Sequence, residues 1–514
     1  MNELNLENYW MPFTGNKAFK ANPRLLVEAD GMYYKSSEGK KILDGISGLW
    51  CCNAGHCHPH IVKAIQDQIA TMDYATAFNM AHPKVFELAT KIASITPEGL
   101  NRIFFANSGS EAVDTAMKVT LAYHLSKGEN QRTKFISREK GYHGVNFGGT
   151  SVGGIPNNRK FFGSSFNDLN CLSNTWDPEN MSFSKGQPKW GKHFADELEV
   201  FLQEHDSSTI AGVIIEPVVG SGGVIIPPEG YLERIREICT KHKIILIFDE
   251  VITGFGRVGA AFASERFNVT PDIITMAKGL TGAAVPMSAV AFHDDIYTQI
   301  ISNSEEVIEL FHGYTYSGHP VAAAAGIASL EVYEKEGLFE RAKDLEPYFE
   351  EAIHSLQGEN SILDIRNIGL MDLSGGILFA APGSAAKIFT ILAEKNINVL
   401  MVSSNPSEAS ISIIVKEPDL TKAVSALEMN LLGKMVKKIE ATPNASIIAV
   451  IGSGMKGTVG VAAKVFSAAQ KRNVNVMMIA QGSSELNLAF VVKDPDCETV
   501  INALHEEFQL AKIN

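Results

Sequence analysis

Two apolar runs constrain this chain more than any other feature. Ala211–Glu216 reads AGVIIE and Ile244–Val251 reads IILIFDEV, and neither alternates polar with apolar residues. Between them Tyr231–His242 (YLERIREICTKH) places its apolar residues at helical spacing. A strand buried on both faces reads as an uninterrupted apolar run, and strand, helix, strand within about 40 residues is a βαβ unit. Hairpins and sandwiches with one wet face require alternation instead. The reading is therefore α/β, with a parallel sheet covered by helices on both sides. Ligands of such sheets sit at the C-terminal strand ends, where Glu216 and Asp249 both fall.

The alternation of helix and strand patterns fills residues 61–330, a large domain, behind an N-terminal segment of residues 1–60. Residues 331–436 carry shorter elements and read as a small α+β domain. Lys437–Ser446 (KKIEATPNAS) reads as a linker. Residues 446–514 then run strand (SIIAVI), glycine loop, helix over about 459–472, strand (VNVMMIAQ), strand (LNLAFVVK) and helix (CETVINALHEEF). That βαββα order is ferredoxin-like. A length of 514 residues accommodates this number of domains.

Lys and Arg total 45 against 58 Asp and Glu, a net charge of −13. From Ser446 onward six basic and six acidic residues balance, so the deficit lies before that point. An acidic chain without a basic run does not attract nucleic acid or an anionic membrane surface. The opening MNELNLENYW lacks the basic and apolar regions of a signal peptide, and no apolar run is long enough to span a bilayer. Six cysteines without a framework spacing suit a reducing compartment. A cytoplasmic protein is the expectation.

Several motifs suggest chemistry. Gly254–Gly259 (GFGRVG) and Gly452–Gly457 (GSGMKG) match the dinucleotide-binding pattern. Neither is followed about 20 residues on by an acidic residue ending a second strand, so neither is read as such a site. Cys51, Cys52, His56, Cys57, His58 and His60 crowd together, but no paired spacing like that of a zinc site is present and no metal is expected. Asn107-Ser108-Gly109-Ser110-Glu111 precedes a strong helical pattern. It suits an anion at a helix N-terminus, and equally a plain cap with Ser110 as the capping residue. Asp249 ends a buried strand. Lys278 lies among small and apolar residues in MAKGLTGAAVPMSAV. A lysine so placed is rare, and burial pushes its amine toward nucleophilic use. A phosphate cup, an acid for a ring nitrogen and an imine-forming lysine together are what pyridoxal phosphate requires.

At this point the chain resembles the class III (ω-amino acid) aminotransferases, closest to the β-alanine–pyruvate group. The motifs are YWMPF, LDGISGLWCCNAGHCHP, FFANSGSEAVDTAMK, GYHG, IIEPV, LIFDEVITGFGR, MAKGLTGAAVPMSAV and HGYTYSGHPVAAAA, in family order from about residue 9 to 330. The resemblance implies a fold type I pyridoxal phosphate enzyme. Lys278 then carries the cofactor and moves protons, and Asp249 pairs with the ring nitrogen. Val251 and Tyr142 cover the two ring faces. Ser108, Gly109 and Ser110 bind the phosphate. Thr315 reaches the phosphate of a neighbouring subunit, which implies a homodimer or higher homo-oligomer. Glu216 lies near the cofactor and the substrate entrance, and Trp50 and Trp10 line the substrate pocket. The reactants are a small-molecule amino donor such as β-alanine and a 2-oxo acid acceptor such as pyruvate. A racemase or aminomutase on the same scaffold is the alternative chemistry.

The chain departs from the family in one respect. The resemblance implies a mobile arginine that grips the substrate carboxylate, but NVLMVSSNPSEASISIIVKEP contains none, and its nearest cations are Lys395 and Lys416. The C-terminal unit resembles an ACT domain of the aspartokinase kind through GSGMKGTVGVAAKVF and NVNVMMIAQGSSELNLAFVV. That implies pairing between copies and an amino-acid effector at Gly452–Gly460 and Gln481–Glu485. A unit that senses an amino acid and one that only tightens the oligomer are both compatible with the resemblance.

Overall fold

The computed structural model describes residues 4–162, 171–358, 362–369, 371–376, 384–405, 410–431, 441–451, 455, 458, 460–481 and 487–509. These fall into two compact units. The first comprises Met1–Gln357 with Asp364–Ser374, and the second Gly358–Leu363 with Gly375–Asn514.

In the first unit β1 (Leu26–Asp30), β2 (Tyr33–Ser36) and β3 (Lys41–Leu43) make a small antiparallel sheet. The main sheet has six strands in the order β4-β9-β8-β7-β6-β5. They are β4 (Arg102–Ala106), β5 (Lys134–Ile136), β6 (Ile210–Ile215), β7 (Ile245–Asp249), β8 (Ile273–Met276) and β9 (Ser288–Phe292). Strands β5 to β8 are parallel, as the apolar runs require. Strand β9 is the exception to an all-parallel reading, running antiparallel to both β8 and β4. The link from Met276 to Ser288 holds one short 3-10 turn, Lys278–Thr281, and a parallel crossover needs a helix-sized connection.

Neighbouring residues in these strands go to opposite faces. Val213, Ile215, Leu246, Phe248, Ile274 and Met276 join a core with Leu232, Ile235 and Ile238 of the helix Tyr231–His242. Ile214, Ile245, Ile247, Ile273 and Val290 join another with Ala112, Val113, Ala116 and Val119 of the helix Gly109–Ser126. Alternation is therefore present in direction but invisible in polarity, because both faces are dry. Full burial of each large apolar side chain contributes roughly 1.5–3 kcal/mol. Strands β10 (Ile362–Ile368) and β11 (Met371–Gly376) pair as a separate two-stranded sheet.

In the second unit β12 (Val399–Asn405) and β13 (Ser410–Val415) form an antiparallel pair. Ile388, Ile391 and Leu392 of the helix Ser384–Glu394 pack with Ala423 and Ala426 of the helix Leu420–Leu431. Beyond them β14 (Ala445–Ile451), β15 (Met478–Gln481) and β16 (Asn487–Lys493) are antiparallel in the order β14-β16-β15. Helices Val461–Lys471 and Asp494–Glu507 cover them, with Val465, Ala468, Phe490, Val492, Val500 and Leu504 in one core. The βαββα order is thus a ferredoxin-like sandwich.

Phe248 is fully buried in β7. Phe248→Ala is expected to cost about 3–5 kcal/mol in denaturant unfolding, since a central strand cannot collapse around the lost ring. A loss below about 1 kcal/mol would place the strand outside the core.

Candidate active site

The fold brings four strand ends to one place. Because β9 opposes both neighbours, β4 runs in the same direction as β5 to β8. The segments following β4, β6, β7 and β8 therefore leave the sheet on the same side. They line a cavity of about 320 Å³ with Ser108, Gly109, Ser110, Tyr142, Glu216, Asp249, Val251 and Lys278. Eight sequence-predicted residues, spread over 171 positions (278 − 108 + 1), meet there.

One wall is the start of the helix Gly109–Ser126. Its cap is Ser108, whose hydroxyl accepts from the Glu111 amide at 3.3 Å. The capping alternative had placed Ser110 in that role. Instead the Ser110 hydroxyl accepts from the Val145 amide at 3.0 Å and ties in the loop after Tyr142. A Cβ on Gly109 would lie 3.1 and 3.2 Å from the two methyl groups of Val251, so glycine keeps this entrance open. The first amides of a helix have no partners within it and favour an anion.

Asp249 is buried and held from three directions. His143 Nδ1 lies 2.8 Å from Oδ2, while Thr275 Oγ1 and the Val251 amide donate to Oδ1 at 3.1 and 3.2 Å. His143 is fully buried, and its Nε2 has no hydrogen-bond partner among the described residues. Glu216 is 4% exposed and accepts from the Tyr142 and Gly220 amides, each at 2.9 Å. Burial, reinforced by the negative charge of Asp249, pushes its carboxyl up to about 7. Lys278 opens the 3-10 turn with φ at +43°, a left-handed conformation that costs a non-glycine residue roughly 1–3 kcal/mol. Burial lowers its amine pKa, against the opposing charges of Cys51, Asp249 and Glu216. The Tyr142 phenol is raised by burial and by the same two carboxylates.

Other predicted residues lie elsewhere. Thr315 is exposed and does not line this chain's cavity; its carbonyl accepts from the Tyr74 hydroxyl at 3.0 Å. Trp10 is 88% exposed and likewise outside the lining. Trp50 packs on the core, with a ring carbon 3.4 Å from where a Gly220 Cβ would be, beside Glu216. Lys395 and Lys416 are exposed residues of the second unit. The Gly254–Gly259 loop is filled by protein: a Cβ on Gly256 would meet the Phe339 ring at 2.7 Å, and one on Gly259 would meet Lys343 at 3.2 Å. The histidines of the Cys/His cluster turn to separate carboxylates, His56 to Asp44, His58 to Glu336 and His60 to Glu331. Most of Gly452–Gly460 and Gln481–Glu485 lies outside the described residues.

The sequence reading missed His143 and Thr275. Their only local signal is that His143 follows Tyr142. Their link to Asp249 spans 106 and 26 residues and exists only in the fold.

A fixed buried carboxylate, a half-buried lysine and a helix start suited to an anion on one cavity define a pyridoxal phosphate enzyme of fold type I. The sequence matches the class-III aminotransferase family over residues 15–431 and an ACT domain over 448–508. An omega-aminotransferase of Caulobacter vibrioides is 57% identical over 71% of this chain and 83% of its own length. A beta-alanine–pyruvate aminotransferase of Pseudomonas aeruginosa is 47% identical over 72% of this chain and 82% of its own. An amine transaminase from an uncultivated Pseudomonas species, solved in its pyridoxal-phosphate-bound form, is 27% identical with a TM-score of 0.65, covering 98% of each chain. The chain belongs to the class-III aminotransferases and carries a C-terminal ACT domain. Its cofactor is pyridoxal phosphate, and the lining residues fit that group: amides for the phosphate, a carboxylate for the ring nitrogen and an amine for the aldehyde.

A carboxyl whose folded value is raised loses stability as pH climbs from its unfolded value to its folded one. For Glu216 that window runs from 4.5 to about 7. Burying the charge costs the apoprotein on the order of 3 kcal/mol across it. Glu216→Gln is expected to flatten the urea-unfolding stability of the apoprotein over this range. An unchanged pH dependence in the variant would show that Glu216 ionises without penalty.

Proposed function

We propose that the enzyme transfers the amino group of an ω-amino acid of the β-alanine type to pyruvate or a similar 2-oxo acid. The observation supporting it most is the meeting of Asp249 and Lys278 on one cavity, in a chain 57% and 47% identical to relatives named for that chemistry.

In this reading Ser108, Gly109 and Ser110 hold the cofactor's phosphate, Tyr142 and Val251 flank its ring, and Thr315 serves the site of a second copy. When bound, the cofactor supplies an electron sink for the carbon that loses its proton. Asp249 pairs with the ring nitrogen, and His143 and Thr275 prevent it from turning away. Lys278 Nζ, neutral more readily because it is partly desolvated, takes the proton from the donor carbon and returns it on the other side of the reaction. Glu216 meets the substrate side together with Trp50. The assembly is a homodimer or larger homo-oligomer.

We assign residues 1–60 to an N-terminal segment, 61–330 to the cofactor domain, 331–436 to the small domain and 446–514 to the ACT domain. Among the described residues no helix is long and apolar enough to cross a membrane. The six cysteines are free, which supports a reducing, cytoplasmic setting. The ACT match supports a regulatory amino acid whose coupling to turnover is about 1–3 kcal/mol. Assays of the full chain against the common amino acids, with no change in turnover from any, would refute that regulation.

Lys278→Ala is expected to lower kcat on the order of 10²–10⁴-fold or more, and Asp249→Asn by at least about 10²-fold, with both proteins folded. Adding β-alanine without acceptor should bleach the visible band of the holoenzyme. Persistence of the band with β-alanine, but not with another amine, would keep the aminotransferase and change its donor. Turnover that needs no 2-oxo acid would favour a racemase or aminomutase.

A further inference from the structure

The mechanism leaves one pair of nucleophilic side chains unused. Cys51 and Cys52 are adjacent, directly follow Trp50, and turn their sulfurs toward the same spot. Both Sγ atoms lie 3.2 Å from where a Cβ on Gly48 would stand. The two differ in access: Cys51 is half-buried, whereas Cys52 is buried. Cys51 Sγ accepts from the Leu49 amide at 3.4 Å and lies 3.6 Å from the Ser47 carbonyl oxygen.

The backbone around them is unusual. Ser47, Gly48 and Trp50 all have positive φ, at +52°, +69° and +57°. Two of the three are not glycine, so the segment holds conformations that L-residues avoid. Its place in the fold also matters. Trp50 abuts Gly220, whose amide donates to Glu216 of the cavity lining, so the Cys51–Cys52 segment is linked to the cavity wall through Trp50 and Gly220.

The surrounding charges favour a thiolate on the outer sulfur. The hydrogen bond from Cys52 is the largest influence on Cys51, lowering it to about 6. The Leu49 amide and the charges of Lys278 and Arg257 act in the same sense, against burial. The shared proton raises Cys52, as do burial, the Cys51 charge and Asp44. Tyr34 faces the same pair. Cys51 is therefore the more acidic of the two thiols.

We propose that Cys51 and Cys52 form a reversible two-thiol modification site, oxidised by low-molecular-weight disulfides to a Cys51–Cys52 bridge that suppresses turnover. The Cys51 thiolate attacks one sulfur of the incoming disulfide, forming a mixed disulfide and releasing one thiolate. That thiolate takes the Cys52 proton and leaves as a thiol. Cys52 Sγ then attacks Cys51 Sγ, and the second half of the reagent departs as a thiolate. The protein loses two electrons, and the reagent gains them as two reduced thiols. Adjacent Cα atoms lie about 3.8 Å apart, closer than unstrained disulfides prefer, so the bridge is easily reduced again. The exposed Cys57 lacks a neighbouring thiol of this kind and serves as an internal control.

The test uses the holoenzyme with oxidised glutathione as the probe. Peptide mass mapping is expected to show the Cys51–Cys52 peptide lighter by two hydrogens, with turnover lost and then restored by dithiothreitol. In Cys52→Ser a glutathione adduct should accumulate on Cys51, and in Cys51→Ser neither product should form. Alkylation of the unmodified enzyme by iodoacetamide should map first to Cys51, with a midpoint near 6 rather than near the ordinary thiol value; this readout needs no variant to fold. A glutathione adduct confined to Cys57, a stable adduct on Cys52, or a bridge that leaves turnover unchanged would each overturn the proposal.

Discussion

The site depends on the pairing register of β7 with β8. In that register Asp249 lies directly opposite Thr275, and the hydroxyl of one donates to the carboxylate of the other. A slip of one residue would turn Asp249 to the opposite face and put Phe248 in its place. The dry cores on both sides forbid the slip, since every apolar side chain of β7 would change faces with it. The same lattice of parallel strands places Glu216 one residue past the end of β6 and Lys278 two residues past the end of β8. The geometry of the cavity is thus a consequence of sheet packing, and rigidity at Asp249 comes from the strand itself.

Electrostatics then divides labour between two similar groups. Asp249 has a side-chain hydroxyl, a backbone amide and the His143 imidazole at its oxygens, which fix the direction of the carboxylate. Glu216 has two backbone amides and deep burial, and burial dominates. Lys278 completes the arrangement: desolvation favours its neutral amine, and the charges of Cys51, Asp249 and Glu216 moderate that tendency. Such a set is prepared before any ligand enters, which limits reorganisation during reaction.

Where an interaction is local, the sequence read well. The helix Tyr231–His242 has the bounds its spacing predicts, and the strands ending near Glu216 and Asp249 match their apolar runs to within two residues. The βαββα order of the C-terminal unit is likewise observed up to Glu507. Misreadings occurred where sequence patterns are degenerate. Helix-start serines are interchangeable on paper, yet Ser108 caps and Ser110 holds the Val145 loop. A parallel and an antiparallel buried strand look the same as apolar runs, and only the short link after Met276 separates them. The Gly254–Gly259 loop, not read as a dinucleotide site, indeed has the Phe339 ring where a Cβ on Gly256 would stand.

The sequence by itself therefore determined the α/β class, the order of its elements, and the acid, lysine and helix-start residues that pyridoxal phosphate chemistry requires. These follow from periodicity and side-chain type, which are properties of single segments. The tertiary structure alone decided that His143 and Thr275 fasten Asp249, that Glu216 is buried deeply enough to hold a proton near neutrality, and that two adjacent thiols converge beside Trp50. Those are properties of contacts between distant segments, and proton affinity depends on the solvent that such contacts remove.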